Sequence, residues 1–165
     1  VPSYITYNGP AVTTAAFVPV TTGTAIKTML QIKAPSAAEM LIWKWGISFD
    51  GTGTTPIKCE LVDTGTVAAT VTAAVAAGVQ NYGPAATAVT SAVQLSTTGT
   101  GYTASAEGTI TTTRYGDLQQ ILPGNFFQNE WSLGREFYVP PGDIVRVRVT
   151  ASAAVNCTCW IVWDE

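Results

Sequence analysis

Acid–base chemistry in this chain would have to run through carboxylates. Its 165 residues include no histidine, so the commonest general base, the commonest metal ligand and every Ser/His/Asp or Cys/His nucleophile pair are missing. Asp50, Asp63, Glu107, Asp117, Glu130 and Glu136 are the acids to consider. A glycosidase needs two such groups several ångströms apart in one cleft. These six are scattered and none lies in a recognisable acid motif. Acids at turns and strand rims are the commoner use, so the chain reads as a non-enzyme, with a small glycan hydrolase as the remaining catalytic alternative.

Thiols offer a second chemistry. Cys157 and Cys159 stand two apart in a strand-like run, so they point to one face, where extended geometry disfavours a bridge between them. Together with Cys59 they either share a metal or are three small buried residues of a reducing compartment. Free cysteine is among the most buried residue types, and the second reading is adopted. With no metal-ligand cluster, calcium loop or Gly-rich phosphate loop, neither a metal nor a cofactor is expected.

The guanidinium groups are Arg114, Arg135, Arg146 and Arg148. In "DIVRVRVT" the alternation sends Val145, Val147 and Val149 inward and Arg146 and Arg148 outward. There the arginines either form a solvated ladder with Glu130 or Glu136, or contact a neighbouring subunit. Aromatic rings on a sheet face can also stack on sugars. Trp43 and Trp45 share a face with Leu41 and Ile47 and read as core, so Trp131 and Trp160 are the better surface candidates.

The elements that must position these groups read as strands. "AIKTMLQIK" puts Ile26, Thr28, Leu30 and Ile32 on one face. "MLIWKWGISF" puts Leu41, Trp43, Trp45, Ile47 and Phe49 on one face and Lys44 and Ser48 on the other. "IKCELV" alternates Ile57, Cys59 and Leu61 against Lys58 and Glu60. "GTITTTRY", "LQQIL", "NFFQNEW", "REFYV", "DIVRVRVT" and "CTCWIVW" follow, separated by Gly, Pro, Asn or Asp. "VPPGD" is a turn in which Gly142 takes a positive φ. From Thr64 to Ala106 no residue is charged; short strands and long loops are preferred there over a brief helix near Val67–Val79, which Thr, Val and Gly78 disfavour. The first stretch, 1–24, is an extended arm: Pro2, Pro10 and Pro19 forbid a helix, and no side chain in it is charged. The domain proper spans 25–165. Short strands without a long helix make the fold all-β, an antiparallel β-sandwich.

Composition narrows the partners. Charged residues are 12% of the chain and the net charge is −3, against a usual charged share of ~25%. Nucleic acid needs clustered Lys and Arg, and an anionic membrane surface needs a basic patch, so neither is expected. The N-terminus lacks a signal-peptide pattern, and the most apolar tract, Val67–Val79, is shorter than the ~20 residues of a membrane helix. In "CTCWIVW" one face carries Cys157, Cys159, Ile161 and Trp163, and the other carries Thr158, Trp160 and Val162. A strand apolar on both faces is either central to a covered sheet or lies under a partner chain.

"MLIWKWGISFDG", "SLGREFYVPPGDIVRVRVT" and "ASAAVNCTCWIVWDE" together resemble small β-sandwich proteins encoded among phage and prophage structural genes, of the head decoration or cement type. The likeness runs over Lys27 to Glu165, with Cys157 and Cys159 standing where related chains carry aliphatic residues or Tyr. The resemblance implies a jelly-roll-like sandwich that assembles as a homotrimer on the major capsid protein, a virion component made in the host cytoplasm. The alternative is a virion-surface or tail-tip sandwich that binds host glycans through exposed Trp and Tyr. The interface candidates are Tyr4, Tyr7, Phe17, Trp131, Arg135, Arg146, Arg148, Trp160 and Trp163.

Overall fold

The computed structural model describes residues 2–83, 92–111 and 113–165. Thirteen strands form two antiparallel sheets, and a single 3-10 turn at Ala76–Gly78 is the helical element among the described residues. The strands are β1 (Ser3–Tyr7), β2 (Val20–Thr21), β3 (Lys27–Lys33), β4 (Met40–Phe49), β5 (Ile57–Asp63), β6 (Thr70–Ala73), β7 (Val79–Asn81), β8 (Gly101–Ala106), β9 (Arg114–Ile121), β10 (Phe126–Glu130), β11 (Phe137–Val139), β12 (Ile144–Thr150) and β13 (Asn156–Asp164). One sheet runs β10-β4-β13-β1-β7, with β11 also on β4 and β2 also on β13; the other runs β6-β8-β3-β12-β5-β9. The chain is thus an all-β antiparallel sandwich, as its alternation predicts.

The faces of the two sheets meet in one core. Met29, Leu30 and Ile32 of β3, Ile57, Cys59 and Leu61 of β5, and Val145, Val147 and Val149 of β12 come from one side. Met40, Ile42, Trp45, Ile47 and Phe49 of β4 and Cys157, Cys159, Ile161 and Trp163 of β13 come from the other. Trp45 and Trp163 are fully buried, and each such apolar side chain stabilises the fold by roughly 1.5–3 kcal/mol. The "VPPGD" turn closes as expected: the Asp143 amide donates to the Pro140 carbonyl at 3.1 Å, and Gly142 has φ +79°.

Two irregularities correct the strict alternation. Along β4 the register with β13 passes from Val162↔Lys44 to Trp163↔Ile42, skipping Trp43. This bulge flips the face. Met40 and Ile42 point inward ahead of it and Trp45 and Ile47 after it, while Leu41 and Trp43 leave the core. A matching slip skips Met29 in β3, so Thr28 is buried outside the core, where its amide and hydroxyl both bind the Glu107 carboxylate, at 2.6 and 2.5 Å. The strand expected over 108–115 starts only at Arg114 and then runs on to Ile121, taking in most of "LQQIL".

The stretch read as an arm is built into the sandwich at both ends. β1 lies between β13 and β7. Tyr4 is buried in the core, its ring 5.9 Å from that of Trp163. β2 extends the same edge of β13 by pairing with Asn156 and Cys157. Asn8, just after β1, is tied to β13: its side chain donates to the Cys157 carbonyl at 3.2 Å and accepts from the Cys159 amide at 2.7 Å.

The uncharged tract from Thr64 forms strands rather than a helix where it is described, β6, β7 and β8; its residues 84–91 lie outside the described set. β6 and β8 extend the second sheet beside β3 and β7 joins the first sheet, and Ala69, Val71 and Ala104 make a small apolar cluster. Beneath it Gln31 is buried, donating to the carbonyls of Gly99 at 2.7 Å and Ala69 at 3.3 Å and accepting from the Ala69 amide at 2.9 Å. A polar residue on the back of β3 is thereby satisfied without water, as burial requires.

Candidate binding surface

The six carboxylates considered for catalysis each hold local structure. Asp50 accepts from the backbone and side-chain amides of Asn156 at 3.0 and 2.7 Å. Asp63 pairs with Arg114 at 2.8 Å and accepts from the Gly65 amide. Glu107 holds Thr28 and Arg146. Asp117 sits at the rim between the sheets and accepts from the Trp45 indole at 3.1 Å, from Asn129 at 3.0 Å and from Gln119 at 2.7 Å. Glu130 faces Lys44 at 3.5 Å. Glu136 accepts from the Gly134 amide at 2.9 Å, which lowers its pKa and keeps it ionised.

All three cysteines are free and buried. Burial pushes the Cys59 thiol up to about 12, with Cys157 adding to the effect, and pushes Cys159 well above the ordinary range. A neutral thiol is a poor metal ligand and nucleophile, and no group of three metal-ligating side chains is found among the described residues.

Several interface candidates are in fact internal. Arg146 does not face solvent: its side chain is 0% exposed under the folded-back tract. It donates to the carbonyls of Glu107 at 3.0 Å and Val67 at 2.5 Å and pairs with the Glu107 carboxylate at 3.4 Å. Arg148 is 12% exposed and paired with Glu60 at 2.6 Å. Alternation points both arginines away from the core, as expected, but Val67 and Glu107 close over Arg146 and Glu60 pairs with Arg148. Tyr4 and Trp163 are likewise buried in the core. Arg135 is exposed on the turn after β10. Trp131 is half-buried and stacks on Phe137 at 6.3 Å.

The remaining candidates come together. Tyr7 and Trp160 face outward from neighbouring strands, their rings 6.4 Å apart, with the Lys44 ammonium 5.7 Å from the Trp160 ring. Trp43, displaced outward by the bulge, meets Tyr82 edge-on at 5.3 Å on this side of the sheet. Burial raises the Tyr7 pKa, and Tyr82 adds to the rise while Lys44 opposes it, so the phenol stays neutral. Beside Tyr7 the chain between β1 and β2 bulges out as a loop. Its ends meet, since a Cβ on Gly9 would lie 3.4 Å from the Val20 side chain. Its side chains Val12, Phe17 and Val18 are 61%, 60% and 69% exposed, a share that leaves most of their apolar area unburied. With Tyr7, Asn8, Pro10 and Thr158 they line a cleft of about 430 Å³.

Among these surface groups, Val12, Val18, Trp43 and Tyr82 are missing from the sequence-based candidates. The bulge hid Trp43. For Val12 and Val18 the signal was present: apolar residues in a stretch without charge, bracketed by Pro10 and Pro19.

Among the described residues no helix is long and apolar enough to cross a membrane. Comparison with protein-family models, curated proteins and solved structures finds no match.

Proposed function

We propose that this chain is a virion structural protein of the head decoration, or cement, type: a homotrimer that binds the major capsid protein and stabilises the capsid lattice of a tailed phage. The observation that carries the reading is the loop between β1 and β2. A short uncharged segment holds Val12, Phe17 and Val18 out beside Tyr7. Apolar side chains so exposed on a protein with few charges are a contact surface or an aggregation liability. The rest of the molecule suits a rigid clamp, being two sheets with a continuous core. The crossing of successive strands β3, β4 and β5 between the sheets supports the jelly-roll type of sandwich that this role implies.

Binding to capsids that lack the protein tests the proposal. Apolar contacts survive salt, whereas exposed charge pairs are screened over ~8 Å at physiological strength. Attachment should hold from low to high sodium chloride and fail when Val12, Phe17 and Val18 are changed to Ser. Sedimentation should show a trimer. Failure to bind capsids, or release by moderate salt, would overturn the reading.

A further inference from the structure

A second recess lies at the end of the first sheet away from the loop, by Ser3 and Asp164. Trp43, Trp131 and Leu133 line it together with Ser3, Glu130, Glu136 and Asp164, around a cavity of about 290 Å³. That is close to the lower end of ligand clefts, ~300 Å³. The Trp131 amide donates to the Trp43 carbonyl at 2.8 Å, which joins the two backbones here, and the Trp131 ring stacks on Phe137. Both indoles are half-buried, so each is anchored yet keeps open surface.

The carboxylates keep acceptor capacity beyond the contacts that hold them. Asp164 takes the Ser3 hydroxyl at 2.5 Å, Glu130 faces the Lys44 ammonium at 3.5 Å, and Glu136 takes the Gly134 amide at 2.9 Å. No cation lines the recess among the described residues. Three acceptor groups beside two part-exposed indoles match a ligand that is apolar on its flat sides, rich in hydroxyl donors at its edge, and not anionic. An all-equatorial pyranose has that chemistry, with axial C–H groups on both faces and hydroxyls around the rim.

We infer that the recess between Trp43 and Trp131 binds uncharged β-linked glucose-type oligosaccharides, stacking a pyranose on an indole while Glu130, Glu136 and Asp164 accept its hydroxyls. The inference does not depend on the capsid assignment, because the recess shares no lining residue with the Tyr7–Val18 cleft.

The test titrates the full chain with cellotetraose and N-acetylchitotetraose, read by tryptophan fluorescence and by saturation transfer to the sugar C–H protons. Trp43→Ala should weaken binding by about tenfold, the loss of one stacking contact near 1.4 kcal/mol. Glu136→Gln, on an exposed turn where folding is not at stake, should weaken it severalfold. Trp160→Ala, outside the recess, should leave affinity unchanged. Sialyllactose should bind more weakly than either neutral sugar. Absence of binding by both tetrasaccharides up to about 10 mM, equal loss in Trp160→Ala, no loss in Glu136→Gln, or preference for sialyllactose would each overturn the assignment.

Discussion

The indole of Trp160 lies flat across Gly46 on the neighbouring strand. A Cβ built on Gly46 would come within 2.4 Å of Cζ2 and 2.6 Å of Cε2 of that ring. Gly46 is opposite Trp160 in the β4–β13 register, so the missing side chain is what lets the ring lie down beside Tyr7 instead of standing into solvent. Glycine in a strand otherwise weakens it; here the packed ring offsets that cost. Gly46→Ala should lift the ring and destabilise the protein by about 1–3 kcal/mol, the usual range for overpacking. In Trp160→Ala the added methyl should cost far less. Thermal melting of the two single variants and the double variant measures the coupling; additive effects would mean the ring does not depend on Gly46.

Glu107 pins the covering tract to the sheet through Arg146. The guanidinium is wholly enclosed and the carboxylate partly so, and burial lowers the Arg146 pKa while Glu107 raises it. Removing one partner of a buried pair leaves the other charge uncompensated and costs ~3–5 kcal/mol. Glu107→Ala should therefore melt much earlier than wild type, and proteolysis should begin within the covering tract. Glu60→Ala, whose partner Arg148 keeps some access to water, should cost less. Similar losses in the two variants would count against the enclosed pair as the clasp.

The fold class was readable because most strands obey a period of two over an uninterrupted run. In β5 and β13 the inward residues Ile57, Cys59, Leu61, Cys157, Cys159, Ile161 and Trp163 are those the alternation selects. Local pattern has no means of marking a single skipped residue, so it fails at Trp43 and Thr28, where a bulge reverses the faces. It also cannot say what covers a sheet. Arg146 points away from the core as its position predicts, and only the long-range return of an uncharged segment makes that side the inside. The exposed loop was partly visible through Phe17, but its closeness to Tyr7 depends on β1 and β2 flanking it along β13.

Deleting 1–24 should not leave a folded domain. The deletion removes β1 from the interior of a sheet and Tyr4 from the core, and exposes the edge of β13. Loss of the cooperative melt is expected. Replacing Pro10–Pro19 with a short Gly/Ser linker should shift the melting temperature little, because the loop ends already lie side by side and closure entropy changes slowly with length. If this replacement unfolds the protein, the loop is part of the core packing instead of a presented surface.

Alkaline solution should destabilise the protein through its thiols. The Cys59 pKa is raised from 9.0 to about 12 by burial first and by Cys157 second, and Cys159 is raised in the same direction. Between the unfolded and folded values the folded state holds more protons than the unfolded state, so the slope of stability with pH is negative. Stability should be fully present below about pH 9 and should fall as pH climbs toward 12. Cys59→Ala removes one titrating group and should flatten that decline, although the vacated volume lowers stability at every pH. A thiol reagent at pH 8 should label none of Cys59, Cys157 and Cys159 in the folded chain and all three after denaturation. Rapid labelling of any of them under native conditions would mean that the core opens there, and the alkaline loss would then need another cause.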